Sequence, residues 1–287
     1  MYKIGVCVMK YKIVVDSCCE LPEAQKKDSH FEIIPLTLCV DDYQVIDDES
    51  FDQKEFIKRA AESPNCPKSA CPSPEAYMQA YEGEYDAVFA VTLSANLSGS
   101  YNSAVLGANL YKETHPNAKV YVFNSKSASV GETQIALKIQ ELAESGADFD
   151  TIIKQGETFL EEMDTYFVLE TLDALRKNGR LTNIQAVLAN VLSIKPIMGA
   201  NPDGTICKLD QVRGINKALV KMADIVAKQV KQSEEKILCI AHCNCPDRAE
   251  FVKKLISERI TVKDTIILDT AGVSTLYASD GGIIVTI

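Results

Sequence analysis

The first half of the chain has a strict rhythm. Short apolar runs, YKIVVD (11–16), FEIIPLTLCV (31–40), DAVFAVTL (86–93) and AKVYVFN (118–124), alternate with segments of helical pattern. Runs that are apolar at nearly every position must be buried on both faces, and the intervening helices supply the two covers. The pattern predicts βαβ units building a parallel sheet covered by helices. The helices are expected near 21–27, 52–62, 98–112, 127–144 and 149–163, with one more opened by Ser73-Pro74-Glu75. There the serine caps, and the proline takes the first turn, where its missing N–H costs nothing.

After about residue 163 the pattern changes. TYFVLET leads to a helix and then a helical stretch from Asn183 to Leu192. IKPIMGA and TICKLDQV follow, flanking Asn201-Pro202-Asp203-Gly204, a hairpin signal. A helix to Gln232, KILCIAH, another helix, TIILD and GGIIVTI complete the chain. We expect two α/β domains, 9–163 with the helix-covered parallel sheet and 164–287 of mixed α/β type. No long Gly/Ser linker separates them, so they should pack on each other.

Composition narrows the partners. A net charge of −10 opposes nucleic acid, because phosphate neutralisation needs clustered Lys and Arg. It equally disfavours an anionic membrane surface. No apolar run nears the roughly 18 residues of an integral membrane segment. The opening MYKIGVCVMKYKI lacks a small-residue cleavage site, and its repeated MYKI makes Met9 an alternative start, with Met1 to Val8 an upstream extension. The 10 cysteines are expected reduced, several as small hydrophobes in strands, in a cytoplasmic protein.

Catalytic signatures are sparse. The glycine spacings of dinucleotide and phosphate loops are missing, and so is G-x-S-x-G. His30, His115 and His242 sit in unrelated contexts. CIAHCNC gathers Cys239, His242, Cys243 and Cys245, but a strand would split them between two faces, so two core thiols and a loop are the expectation and no metal is assigned. The vicinal Cys18 and Cys19 are poorly placed to close an unstrained disulfide.

The stretch AVTLSANLSGSYNSA (90–104) is different. A buried strand runs into small side chains, hydroxyls and the free N–H groups of a helix start, which is the recipe for an anion site at the C-terminal edge of a sheet. Plain N-capping by Ser98 or Asn96 would explain the same residues. Asp16 and Ser17 follow the first strand, Asn124 and Ser125 a later one, and Ser69 precedes a helix. Several polar strand ends would then meet at one edge.

These segments, in this order, resemble the DegV family of bacterial fatty-acid-binding proteins from about Lys10 to Ile287. VVDSCCELP looks like the family's opening strand and D-S turn, and KSACPSPEAY is similar to its K-T-S-Q-P-S-P loop. LSANLSGSYNSA resembles L-S-S-x-L-S-G-T-Y-x-S-A, and NSKSASVG resembles D-S-K-x-x-S-x-G. LDALRKNGRLTN and LSIKPIMGANPDGTI look like its K-x-G-R-I and I-K-P-I-L segments, followed by an arginine-bearing VRG.

The resemblance implies a two-domain α/β fold holding one long-chain fatty acid, with no cofactor and no catalytic residue. It places the carboxylate at Ser69, Ser94, Ala95 and Ser98, with Asp16, Ser17, Asn124 and Ser125 as supporting strand ends. Some members are the binding subunit of a fatty acid kinase and present the acyl group to an ATP-binding partner for phospholipid synthesis. Arg180 and Arg213 are the candidates for contact with that partner or with phosphate. Cys71 stands where the family has glutamine, Ala95 where it has a second serine, and Ala278 near where it often has histidine. Burying a C16 chain would contribute on the order of 10 kcal/mol at about 0.8 kcal/mol per CH₂, before ordering costs. The alternatives are a serine-dependent acyl transferase or hydrolase using Ser94 or Ser98, and a small-molecule sensor without lipid preference.

Overall fold

The structure is a computed structural model and describes residues 9–181 and 193–287. In its first half the chain forms β1 (Tyr11–Asp16), α1 (Glu23–Lys26), β2 (Phe31–Ile34), β3 (Thr37–Val40), β4 (Tyr43–Ile46), α2 (Gln53–Glu62), β5 (Lys68–Ala70), α3 (Pro74–Ala80), β6 (Ala87–Thr92), α4 (Ser100–Thr114), β7 (Val120–Asn124), α5 (Val130–Glu144) and α6 (Phe149–Glu162). Strands β2, β1, β6 and β7 pair in that order, all parallel. Side chains alternate across the sheet as the strand pleat requires. Ile13, Val15, Phe89 and Val91 meet Ile135 and Ile139 of α5 and Ile152 of α6. Val14, Val88 and Ala90 meet Tyr77 of α3 and Ala104 and Ala108 of α4 on the other face. Both faces are covered, as the unbroken apolar runs of β1 and β6 foretell.

One expectation is corrected. FEIIPLTLCV is two strands, because Pro35 has no N–H to give a ladder. After Pro35 the chain leaves the parallel sheet, and β3 pairs antiparallel between β4 and β5. Strands β4 and β5 were not anticipated; the KSA of the KSACPSP segment is β5 itself.

The second half contains β8 (Thr165–Val168), α7 (Asp173–Lys177), β9 (Ile194–Ala200), β10 (Ile206–Arg213), α8 (Ile215–Gln229), β11 (Ile237–His242), α9 (Pro246–Ser257), β12 (Asp264–Asp269), α10 (Gly272–Ala278) and β13 (Ile283–Thr286). Its sheet runs β10-β9-β8-β13-β11-β12, with only β11 and β12 parallel. The expected hairpin joins β9 to β10: Gly204 takes φ +82°, and the Asn201 N–H donates to the Thr205 carbonyl at 2.8 Å. The helix expected over Asn183 to Leu192 lies outside the described residues.

This mixed sheet has two unlike faces. Tyr166, Val168 and Ile197 pack under α8 and α9 with Leu219, Met222 and Val252. The alternate residues Phe167, Leu169 and Met198 turn the other way, toward α7 and the first half of the chain. The cavity lies on that second face.

Candidate functional site

Three loops leave the C-terminal ends of β1, β6 and β7 side by side, the first two tied together by the buried Asp16 carboxylate and the last two by the Asn124 amide. Asp16 Oδ1 accepts from the Cys18 N–H at 3.1 Å, and its Oδ2 accepts from the Leu93 N–H at 3.1 Å. Asn124 Oδ1 accepts from the Ala95 N–H (3.1 Å) and the Lys126 N–H (3.2 Å). Ser125 Oγ closes its own loop by accepting from the Ser127 N–H at 3.1 Å. Ser17 accepts from the Leu36 N–H and donates to Asp47, each at 2.9 Å. These four strand-end residues brace backbone; none of them lines the cavity.

The hydroxyls of the 93–99 loop are also committed. Ser94 is fully buried and donates to the Gly204 carbonyl at 2.9 Å, while Asn96 Nδ2 donates to the Asp203 carbonyl at 2.7 Å. The loop is thereby stitched to the β9–β10 hairpin, and Gly204 has no room for a side chain: a Cβ would lie 2.4 Å from Ser94 Oγ. Ser98 pairs with Ser100 Oγ at 3.1 Å. Helix α4 begins at Ser100, two residues later than expected.

Between the two halves lies a cavity of about 100 Å³. Leu93, Leu97, Phe167, Leu169, Leu175, Ile206, Val273 and Ile284 give it an apolar wall. Its polar lining comes mainly from Lys126, Ser127, Ser129 and Thr165, and from Arg180, Ser274 and Tyr277. Lys126 (φ +51°) and Ser129 (φ +59°) take left-handed backbone conformations, which non-glycine residues adopt at a cost.

Arg180 and Tyr277 form a corner. Arg180 Nε donates to the Leu97 carbonyl at 3.0 Å, and its guanidinium lies 5.5 Å from the centre of the Tyr277 ring. The Tyr277 hydroxyl meets Ser69 Oγ at 3.1 Å. Next to it Cys71 is exposed and packs on Gly99, where a Cβ would lie 2.9 Å from the sulfur. The structure thus brings β5 with Cys71, the 93–99 loop and Arg180 together. Arg213 is elsewhere, exposed and donating to Ser193 Oγ at 3.1 Å. Tyr277, Lys126 and Ser129 were not singled out in the sequence. The S-K-S-A-S run (125–129) held two of them, one and four residues past Ser125.

Behind the loops lies an acidic interior. Burial pushes Asp16 up to about 6 against its backbone hydrogen bonds, and pushes Glu20 up to about 7. Glu132 is fully buried and raised well above the carboxylate range, chiefly by burial and then by Asp16 beside it. Neither Glu132 oxygen accepts a bond from a described donor. Donor atoms of Asp16, Cys18 and Glu132 lie within 4.8 Å of one another. A protonated Glu132 donating to the Asp16 carboxylate satisfies this arrangement, since two like charges so close in a dry interior cannot both ionise. Burial also raises the Cys18 and Cys19 thiols, and the nine described cysteines are unbridged. Of the CIAHCNC cluster, Cys239 and Cys243 are core thiols, and His242 Nδ1 faces Asp269 at 3.3 Å. Among the described residues no helix is long and apolar enough to cross a membrane.

Comparison with known proteins agrees with this architecture. Residues 10–286 match the model of the DegV family, described as uncharacterised proteins. A DegV domain-containing protein of Streptococcus pneumoniae is 32% identical over 279 residues, covering 96% of this chain and 98% of its own. A DegV family protein of Ruminococcus gnavus, refined with vaccenic acid, is 53% identical with a TM-score of 0.95, covering 97% of this chain and 99% of that one. The Fak B3 protein of the Streptococcus pneumoniae fatty acid kinase, crystallised with linoleic acid, is 31% identical with a TM-score of 0.88 over 97% and 99% of the two chains. With its sheet order, its cavity and its motifs in register from end to end, the chain belongs to the DegV family.

Proposed function

We propose that this protein binds one long-chain fatty acid in the cavity between its two halves and presents it to the ATP-binding subunit of a fatty acid kinase. The observation that carries the reading is the cavity itself: an apolar wall drawn from both halves, with a polar corner at one place on its rim. Such a site holds an acyl chain by burial and needs only a few donors to orient the carboxylate. The relatives from Ruminococcus gnavus and Streptococcus pneumoniae, with vaccenic and linoleic acid, support it.

The head group is assigned to the corner of Ser69, Tyr277 and Arg180, with Ser98 on the adjoining loop. Ser94 and the Ala95 N–H, already bonded to Gly204 and Asn124, shape that loop. The Tyr277 hydroxyl stands next to Ala278 and supplies a donor there. A nucleophilic serine finds no support. Ser94 donates to a carbonyl and Ser98 pairs with another serine, and neither touches a histidine or carboxylate base. We accordingly read the protein as a non-catalytic, cofactor-free carrier, with residues 9–163 and 164–287 as its two domains.

Calorimetric titration of delipidated protein with oleic acid and with methyl oleate tests the assignment. One-to-one binding, with the free acid at least about tenfold tighter, is expected from the charge-assisted bonds at the corner. Equal affinity for acid and ester would refute the corner, and no binding of either would refute the lipid reading.

A further inference from the structure

Helix α10 forms one wall of the cavity through Val273, Ser274, Tyr277 and Ala278, yet none of its own flanking side chains caps it. Its first amides are held instead by two carboxylates from the far end of the sequence. Asp47 Oδ1 accepts from the Gly272 N–H at 2.6 Å and Asp47 Oδ2 from the Val273 N–H at 2.9 Å, across 225 and 226 residues. Glu20 Oε1 accepts from the Ala271 N–H at 3.3 Å, and its Oε2 accepts from Ser129 Oγ at 2.6 Å. The fit leaves no slack: a Cβ on Gly272 would lie 2.5 Å from Asp47 Oδ1.

Resting on the lipid reading above, we propose that Asp47 and Glu20 are positioning residues of the cavity. Together they latch α10 in place as its wall, and the acyl chain enters and leaves when this latch lets go. Three observations converge. The latch joins the two halves of the chain at the element that carries Tyr277, the head-group residue. Both carboxylates are 3–4% exposed and are bonded only by N–H and O–H donors, so each is dry when closed and solvated when open. A groove reaches them from outside, lined also by Gln53 and Thr270, so water and protons have a path.

The pH sense follows from burial. Both carboxyls are pushed up chiefly by desolvation, Glu20 from 4.5 to about 7. A latch that binds protons more tightly closed than open is tightest in mild acid and weakens as pH rises from about 4.5 to about 7. A protonated carboxyl still offers its carbonyl oxygen to the amide. The groups that face the pair reinforce this sense. Asp48 and Glu49 beside Asp47, Asp16 and Glu132 from β1 and α5, and Asp269 from β12 are all acids. Cys18 and Cys19 are held as thiols, and Lys26 is the one cation among the groove's described lining residues.

Hydrogen exchange of the full chain, read by peptide, tests the latch without any ligand. In Asp47→Ala, and in Glu20→Ala, which remove the acceptors altogether, residues 270–279 should exchange at least about tenfold faster while β6 stays protected. In wild type, opening of 270–279 relative to β6, corrected for intrinsic rates, should rise between pH 5 and 8 by up to roughly tenfold per unit for each proton released. Release of cis-parinaric acid should accelerate in step with that opening. Unchanged exchange in Asp47→Ala overturns the proposal. If that variant loses structure globally, the wild-type series decides, and a flat or falling profile overturns it. A wild type that binds no fatty acid sinks the lipid reading and the gate with it, whatever the exchange of α10 shows.

Discussion

The 93–99 loop and the Ser69–Tyr277–Arg180 corner are both polar, and they spend their polarity differently. In the loop, Ser94, Asn96 and the Ala95 N–H are each bonded to another part of the chain, and Asp16 holds the Leu93 N–H from below. In the corner, Tyr277 and Arg180 line the cavity, and the Tyr277 hydroxyl meets only a serine that can exchange it for a ligand oxygen. A hydroxyl-rich sequence therefore marks the neighbourhood of a binding site, and the hydrogen bonds already made decide which groups are left to bind. Loop residues should matter to stability and corner residues to affinity.

The largest effect belongs to the brace. Asp16→Ala strands two buried N–H groups, those of Cys18 and Leu93, and should cost about 3 kcal/mol in denaturant unfolding. At the corner, Arg180→Ala removes a charged donor and should weaken oleate binding by roughly tenfold to a hundredfold. It should also cost about 1–2 kcal/mol of stability, because the guanidinium holds the Leu97 and Asn178 carbonyls. Ser69→Ala should weaken binding about fivefold, with little change in stability. Ser94→Ala should do the reverse, costing about 1 kcal/mol of stability through the Gly204 carbonyl while affinity changes less than about threefold. If Ser94→Ala abolished binding with stability intact, the division between loop and corner would be wrong.

The pH dependence bears on the same division. Burial raises Asp16 to about 6 and Glu20 to about 7, above their unfolded values of 3.8 and 4.5. The folded state then holds protons that the unfolded state has released, so stability should decline as pH rises from about 4 to about 7. Thermal melts across that range check it. A rise in melting temperature over the same interval would mean that the interior acids are ionised and paired.

Much of this was legible beforehand. The unbroken apolar runs of β1 and β6 specify burial on both faces, and the turn residues of 201–204 specify the hairpin. What escaped was non-local. Pro35 divides a run that reads as one strand, and only the pairing of β3 with β5 shows where the second piece goes. Helix α10 is short, opens on glycine and has no local cap, because its cap is Asp47, 225 residues earlier in the chain. Among site residues, Asp16, Ser17, Asn124 and Ser125 lie at or just past the ends of β1 and β7, on one edge of the parallel sheet. Their side chains turn into the backbone, however, and the cavity receives Lys126, Ser129 and Tyr277, whose direction depends on left-handed turns and on tertiary packing.

Native mass spectrometry of the purified protein is the most direct test, followed by organic extraction of whatever it carries. One adduct per chain with the mass of a long-chain fatty acid, lost on extraction and restored by oleic acid, is the expected result. A protein that is free of lipid as purified and stays so after incubation with palmitic and oleic acids would contradict it.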